Sequence, residues 1–348
     1  MECFGDSSSD EEEEGSSSVI GASTIIQRDE SSCGVCSFHP NTEASLLTHV
    51  RNALKKSTSP TSPTSSPPTT SSSTATTMID EKTKIQRSTE VLRAIDEFCM
   101  SRHWMMHVGP SKGEILLKSL REAMENKKSN SNSNSNPKQC SFVLVELGTY
   151  CGYASILMGR AILESESNKL LEDDGDDGGG DDMDDMACHL ITTEINREYA
   201  EIATEMIRLC GMDDFITVTQ ISYDGHDTDL VRSVRESLKT TIGEDAKQQQ
   251  IDFLFIDHDK DSYKSDLIKL ESSGMICRGT KVVADNVLFA NIHDYRTYVR
   301  ERANDGIVTT RTIECYVEYS GDGDVVGNSN DVGTYTDGVE ITDYLLDP

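Results

Sequence analysis

Aromatic residues make up only 6% of the 348-residue chain and hydrophobic residues 36%, too little to bury every segment in a core. Basic residues are scarce as well. Thirty-two Lys and Arg stand against 61 acids, a formal net charge of -29, so the footprint that draws a protein to nucleic acid or an anionic membrane is missing. No apolar run approaches the roughly 20 residues of a membrane span, and the N-terminus is acidic where a leader would be basic. A cytoplasmic protein working without nucleic acid or membrane is the expectation. Ten cysteines are too sparse for a disulfide scaffold. Cys151, Cys188 and Cys277 fall inside apolar elements and read as small buried thiols.

The charge is unevenly placed. Six acids lie between Asp6 and Glu14 and nine between Glu172 and Asp185, in runs without Lys or Arg. Residues 1–80, rich in Ser, Thr, Asp and Glu and including STSPTSPTSSPPTTSSSTATT, read as a disordered acidic arm. Its Ser-Pro pairs are candidate phosphorylation sites, with a plain solvated linker as the competing reading. Cys33 and Cys36, followed by His39 and His49, have the donor types of a tetrahedral zinc site, but no second Cys pair or surrounding core supports it. Residues 81–348 read as one folded domain interrupted by polar loops at 129–137 and 165–186. The second loop, for all its carboxylates, lacks the spacing and closing Glu of an EF-hand.

Within that domain, Val91, Leu92, Ile95, Phe98 and Cys99 recur at helical spacing from Thr89 to Met100, and Lys112–Met124 gives a second helix. The pattern then changes to short β-rich runs that mostly alternate with helical stretches: SFVLVEL, HLITTE, FITVTQ, IDFLFID and TKVVAD. Near-continuous apolar strands among helices predict an α/β fold with a doubly wound, mostly parallel sheet. IVTTRTIECYVEY and VEITDYLL close the chain without a helix, which predicts an antiparallel edge hairpin and seven strands in all.

Ligands of such sheets bind outside the carboxyl ends of the strands. The first strand ends in Glu146-Leu-Gly148-Thr-Tyr150-Cys-Gly152 and leads into a helix. Glycines there let the backbone approach a nucleotide-like ligand; the ExGxxxG spacing departs from GxGxxG and is the usual turn of methyltransferases with this fold. Glu194 ends the second strand. Once the acidic insertion is discounted, it stands near the ~20-residue spacing at which an acid accepts from ribose hydroxyls. Asp257, Asp285 and Asn286 end the fourth and fifth strands, where they offer three oxygen ligands to a hard cation such as magnesium, or cap the helices that follow. Lys260, one turn beyond Asp257, is a candidate base.

These residues lie in blocks, VLRAIDEFC, WMMHVGPSKG, VELGTYCGY, ITTEIN, FIDHDKDSY and VVADNV, followed by CYVEY and DGVE, whose content and order resemble the catechol O-methyltransferases. The resemblance implies a seven-stranded Rossmann-like methyltransferase sheet and a magnesium-dependent enzyme that carries a methyl group from S-adenosylmethionine to a vicinal diol. It implies that Asp257, Asp285 and Asn286 hold the metal and that Lys260 is the general base. Glu318 would contact the second hydroxyl, Trp104 would face the acceptor ring, and Lys260 and Asn286 would border the acceptor. For the donor, Glu194 would bind the ribose, Glu146, Gly148 and Val108 would surround the methionine end, and Tyr150 would flank the sulfonium. Ile195, Ser222 and His258 would lie by the adenine, with Asp257 assigned to the donor site as well as to the metal.

The chain also departs from the family. Its serine after the Gly-Tyr pair is Ala154 here, followed by Ser155; Ile221-Ser222-Tyr223-Asp224 replaces Gly-Ala-Ser-Gln against the adenine; Asp259 replaces an aromatic wall residue and Ala290 a proline. A carboxylate in that wall loosens the grip on a flat ring and favours a polar or cationic acceptor. The alternatives are therefore a caffeoyl-type or other hydroxylated acceptor, and a non-catalytic donor-binding protein. A monomer acting on a small molecule is expected.

Overall fold

The computed structural model describes residues 41–57, 79–131, 141–172, 186–223, 228–243, 249–318 and 335–348. Seven strands form one sheet: β1 (Ser141–Leu147), β2 (Ala187–Glu194), β3 (Ile216–Gln220), β4 (Phe253–Ile256), β5 (Lys281–Ala284), β6 (Val308–Tyr316) and β7 (Thr336–Tyr344), in the order β3-β2-β1-β4-β5-β7-β6. The first five are parallel, and β7 runs antiparallel to both β5 and β6. The doubly wound reading holds, with one refinement: the last strand lies inside the sheet and β6 forms its edge. Strand order reverses between β1 and β4, which opens a crevice at their carboxyl ends.

Alternation along β1 shows why both faces need helices. Phe142 and Leu144 join one hydrophobic cluster, whereas Val143, Val145 and Leu147 join another on the opposite face. The first cluster is covered by α1 (Thr42–Ser57), α2 (Glu81–Ser101), α3 (Gly109–Ser131), α4 (Tyr153–Glu172) and α5 (Arg197–Cys210). The second is covered by α6 (Leu230–Ile242), α7 (Tyr263–Ser272) and α8 (His293–Asn304). Among the described residues no helix is long and apolar enough to cross a membrane.

Helix α1 corrects the expected arm. Leu46 and Val50 are fully buried against α2 and α5, and Leu47, Ala53 and Leu54 pack beside them. Burying two such side chains stabilises by about 1.5–3 kcal/mol each, enough to hold a helix whose polar surroundings mask its apolar stripe. His49 packs its ring 5.5 Å from that of Phe98, while Cys33, Cys36 and His39 lie outside the described residues, as do the Ser-Pro pairs. The loop boundaries shift too. Helix α3 continues to Ser131 and α4 to Glu172, so helix replaces the first residues of both expected loops, and Met186 is buried at the start of β2. Helix α6 was not expected; Leu230, Val234 and Leu238 bury its inner face at i, i+4, i+8. Cys151 and Cys188 are buried as expected, but Cys277 is half-buried in the turn before β5.

Candidate functional site

The side of the crevice at the end of β1 begins with a glycine. Gly148 leaves β1 with φ +93°, its N–H donating to the Thr193 carbonyl at 3.0 Å, and an added Cβ would lie 2.5 Å from the Asp257 carbonyl oxygen. Only glycine allows the exits of β1 and β4 to lie that close. Two residues on, Tyr150 also has positive φ, and its N–H donates to Glu194 Oε2 at 2.9 Å. The Asn196 N–H donates to Oε1 at 2.9 Å, and the Asn196 side chain caps α5. Glu194 is thus held at the end of β2 by two backbone donors, with lone pairs left for hydroxyls. Its burial raises its pKa.

Glu146 is buried beneath this turn, where burial lifts its carboxyl from 4.5 to about 7. Ser155 Oγ donates to it and lies 3.1 Å from Thr149 Oγ1. The serine displaced by one position relative to the family therefore faces inward, against Glu146. A buried carboxylate that, among the described residues, has no cation beside it suits an amine.

Tyr150 is braced on three sides. Its hydroxyl donates to Glu43 Oε1 of α1 at 2.8 Å, and its ring lies 5.1 Å from Tyr199 and 5.3 Å from His107. His107, fully enclosed, has its pKa lowered to about 3 by burial, so its imidazole is neutral. Val108 is buried next to it. Ile195 is 51% exposed, and Ser222 is exposed, its N–H donating to Asp229 Oδ1 at 2.8 Å. His258 lies 2.9 Å by Nε2 from Asp266 Oδ2 and stacks on Tyr263.

Beyond β4 and β5 the residue types change to paired charges. Lys260 Nζ lies 2.7 Å from Asp257 Oδ1 and donates to the Tyr263 hydroxyl at 2.8 Å; that hydroxyl donates to the Asp285 carbonyl at 3.2 Å. Asn286, at φ +57°, donates from Nδ2 to Glu318 Oε1 at 3.2 Å and Asp337 Oδ2 at 2.9 Å. Lys112 Nζ meets Asp285 Oδ1 at 3.0 Å, Glu318 Oε1 at 2.5 Å and Asp337 Oδ2 at 2.6 Å. Trp104 Nε1 donates to the Glu318 carbonyl at 3.0 Å. The structure so brings together Trp104, Asp257, Lys260, Asp285, Asn286 and Glu318, and Asp257 and Asp285 engage in ion pairs rather than helix caps. Sequence reasoning missed Lys112 and Asp337, although each lies inside a family-like block, GPSKG and DGVE.

These residues fit a hard divalent cation. Four carboxylates, Asp257, Asp285, Glu318 and Asp337, face two ammonium groups, Lys112 and Lys260, which leaves two negative charges over. Asp285 Oδ2 is buried without a hydrogen-bond partner, and burial raises the Asp285 pKa in spite of Lys112. An oxygen-seeking cation of charge two supplies both the missing partner and the missing charge.

The family model described as O-methyltransferase matches residues 185–300. Catechol O-methyltransferase of Bos taurus is 29% identical over 235 residues, covering 66% of this chain and 65% of its own. Catechol O-methyltransferase B of Danio rerio is 30% identical over 210 residues, 60% of this chain and 61% of its own. The human transmembrane O-methyltransferase is 24% identical over 210 residues, 60% of this chain and 55% of its own. The chain thus spans somewhat less than two thirds of the length of these relatives.

Proposed function

We propose that the chain is an O-methyltransferase of the class I branch that holds the catechol O-methyltransferases, and that it methylates one hydroxyl of a vicinal diol, using S-adenosylmethionine and magnesium. The observation that carries this reading is the unpartnered Asp285 Oδ2 beside Asp257 and Asn286, at the strand ends next to the Gly148 turn. Asp257, Asp285 and Asn286 would hold the metal. When bound, it favours the ionised form of a diol whose phenolic hydroxyls otherwise lose a proton only near pH 10.

The chain's own groups do the rest. Glu194 accepts from the donor's ribose hydroxyls, Glu146 faces its amine, and Tyr150, locked by Glu43 and Glu194, flanks the reacting methyl. Lys260, released from its pair with Asp257, would give up its own proton to solvent and then, as the free amine, take up the hydroxyl proton at Nζ. Glu318 accepts from the second hydroxyl. Trp104, anchored through Nε1, offers an apolar wall that excludes water. Alignment of the nucleophile with the methyl then contributes several kcal/mol, on the order of what fixed geometry provides elsewhere.

A second reading keeps the chemistry and changes the acceptor to a caffeoyl-type or polar hydroxylated compound. It is favoured by Asp259, which is exposed and accepts from Ser262 Oγ at 3.0 Å where the family places an aromatic ring. Methyl transfer should be measured across catechols, monophenols and caffeoyl esters, with magnesium or with a chelator. Magnesium-dependent methylation of catechols is the expected result. Tight donor binding with no magnesium-dependent methylation of any vicinal diol would sink the catechol assignment.

A further inference from the structure

Lys112 reaches the acidic cluster from the first turn of α3, and its ammonium stands where an ion would. Its partners Asp285, Glu318 and Asp337 each offer a ligand oxygen, and these oxygens all lie within 4.8 Å of one another. Lys112 is 1% exposed and Asp337 fully enclosed, so no water competes for these bonds. The contacts divide the neighbouring side chains atom by atom. Asp285 gives Oδ1 to Lys112 and to the Asn286 N–H at 2.7 Å, which leaves its buried Oδ2 without a partner. Asn286 directs Nδ2 at Asp337 and Glu318, which makes its oxygen the free end of the amide. Asp337 is itself fixed by the Phe289 N–H at 2.9 Å.

We propose that Lys112 is a positioning residue, a built-in cation that fills the Asp285–Glu318–Asp337 cluster, denies it to a divalent ion and so directs that ion to Asp285 Oδ2, Asp257 and the Asn286 oxygen. The proposal rests on the magnesium reading of the site. Two neighbouring clusters of oxygen ligands share one carboxylate here, and a divalent ion in the wrong one would lie among Glu318 and Asp337, displaced from Asp257 and Lys260. An ammonium on a fixed stem settles the choice, because it can neither exchange nor bind the acceptor.

Lys112→Met keeps the apolar stem and removes the charge. Titration with Mn2+, followed by the resonance of the free ion and by calorimetry, is expected to show one more ion bound per chain than in the wild type. Misplacement of a reacting group by about 1 Å costs on the order of 10²-fold, so kcat should fall by roughly that factor, with donor affinity retained. A folded Lys112→Met protein with the wild-type ion count and kcat overturns the proposal. If that variant does not fold, Lys112→Met with Asp337→Asn removes one charge of each sign. It should bind the wild-type number of ions yet show a raised acceptor KM, because Asn286 has lost the carboxylate that orients it; an unchanged acceptor KM and kcat again overturn the proposal. A wild-type chain that binds no Mn2+ sinks the magnesium reading, whereas a one-ion gain in Lys112→Met would still show that the lysine occupies a cation site.

Discussion

A Cβ on Gly148 would stand 2.5 Å from the Asp257 carbonyl oxygen and 2.8 Å from His258 Cα. The turn after β1 and the loop after β4, proposed to hold the donor and the metal, are therefore in backbone contact, and neither can move without the other. Gly148→Ala adds a clash with backbone to a φ of +93°, a conformation that costs a residue with a Cβ about 1–3 kcal/mol before any displacement. It should lower the melting temperature and abolish donor binding in calorimetry. A wild-type dissociation constant would mean that this turn does not hold the donor.

Glu146 should make both stability and donor binding depend on pH. Its carboxyl titrates at about 7 in the folded protein, raised by burial from an ordinary value of 4.5. The folded protein thus keeps a proton that the unfolded chain releases, so the stability this group contributes is complete below pH 4.5 and is lost as pH rises through about 7. The loss is about 3 kcal/mol at most. Glu146→Gln should flatten that part of the pH dependence in urea denaturation. A cationic donor favours the ionised form, so binding near pH 6.5 should release protons, as heats in buffers of different ionisation enthalpy would register. No proton release and an unchanged pH slope would refute both.

Glu194→Gln should weaken donor affinity by roughly 1–3 kcal/mol, since the amide cannot accept at both ends as the carboxylate does. Tyr150 N–H and Asn196 N–H each rely on one of those oxygens. The loss should appear in the donor dissociation constant and leave acceptor KM at saturating donor largely unchanged. Equal affinity for the donor would show that the ribose lies elsewhere.

Leu46→Ala should destabilise the protein by about 2–5 kcal/mol, as expected for a leucine at zero exposure. Chemical denaturation measures it. A change below ~0.5 kcal/mol would mean that α1 is not part of the folded unit.

Removing the charge at Asp257 should separate metal from donor. Asp257→Asn should abolish magnesium dependence together with turnover, while S-adenosylmethionine still binds, because Glu146 and Glu194, the carboxylates proposed to hold the donor, lie on other strands. Loss of donor affinity to the same degree would argue that the two sites cannot be separated.

What the sequence determined by itself was local. Five near-continuous apolar runs, each short enough for a strand, specify the parallel part of the sheet because burial on both faces needs no polar alternation. Glycine at 148 and the three-residue spacing of Asp257 and Lys260 were legible for the same reason, since a tight turn and a short loop are set by neighbours in the chain. The tertiary structure alone decided that β7 enters between β5 and β6, because edge and inner strands of an antiparallel pair carry similar patterns. It alone brought α1 to the donor turn, through a Glu43–Tyr150 contact spanning 107 residues. Lys112 shows the limit most directly. It meets Glu318 across 206 residues and Asp337 across 225, and no spacing in the chain reports a charge pairing made only when three elements are buried together.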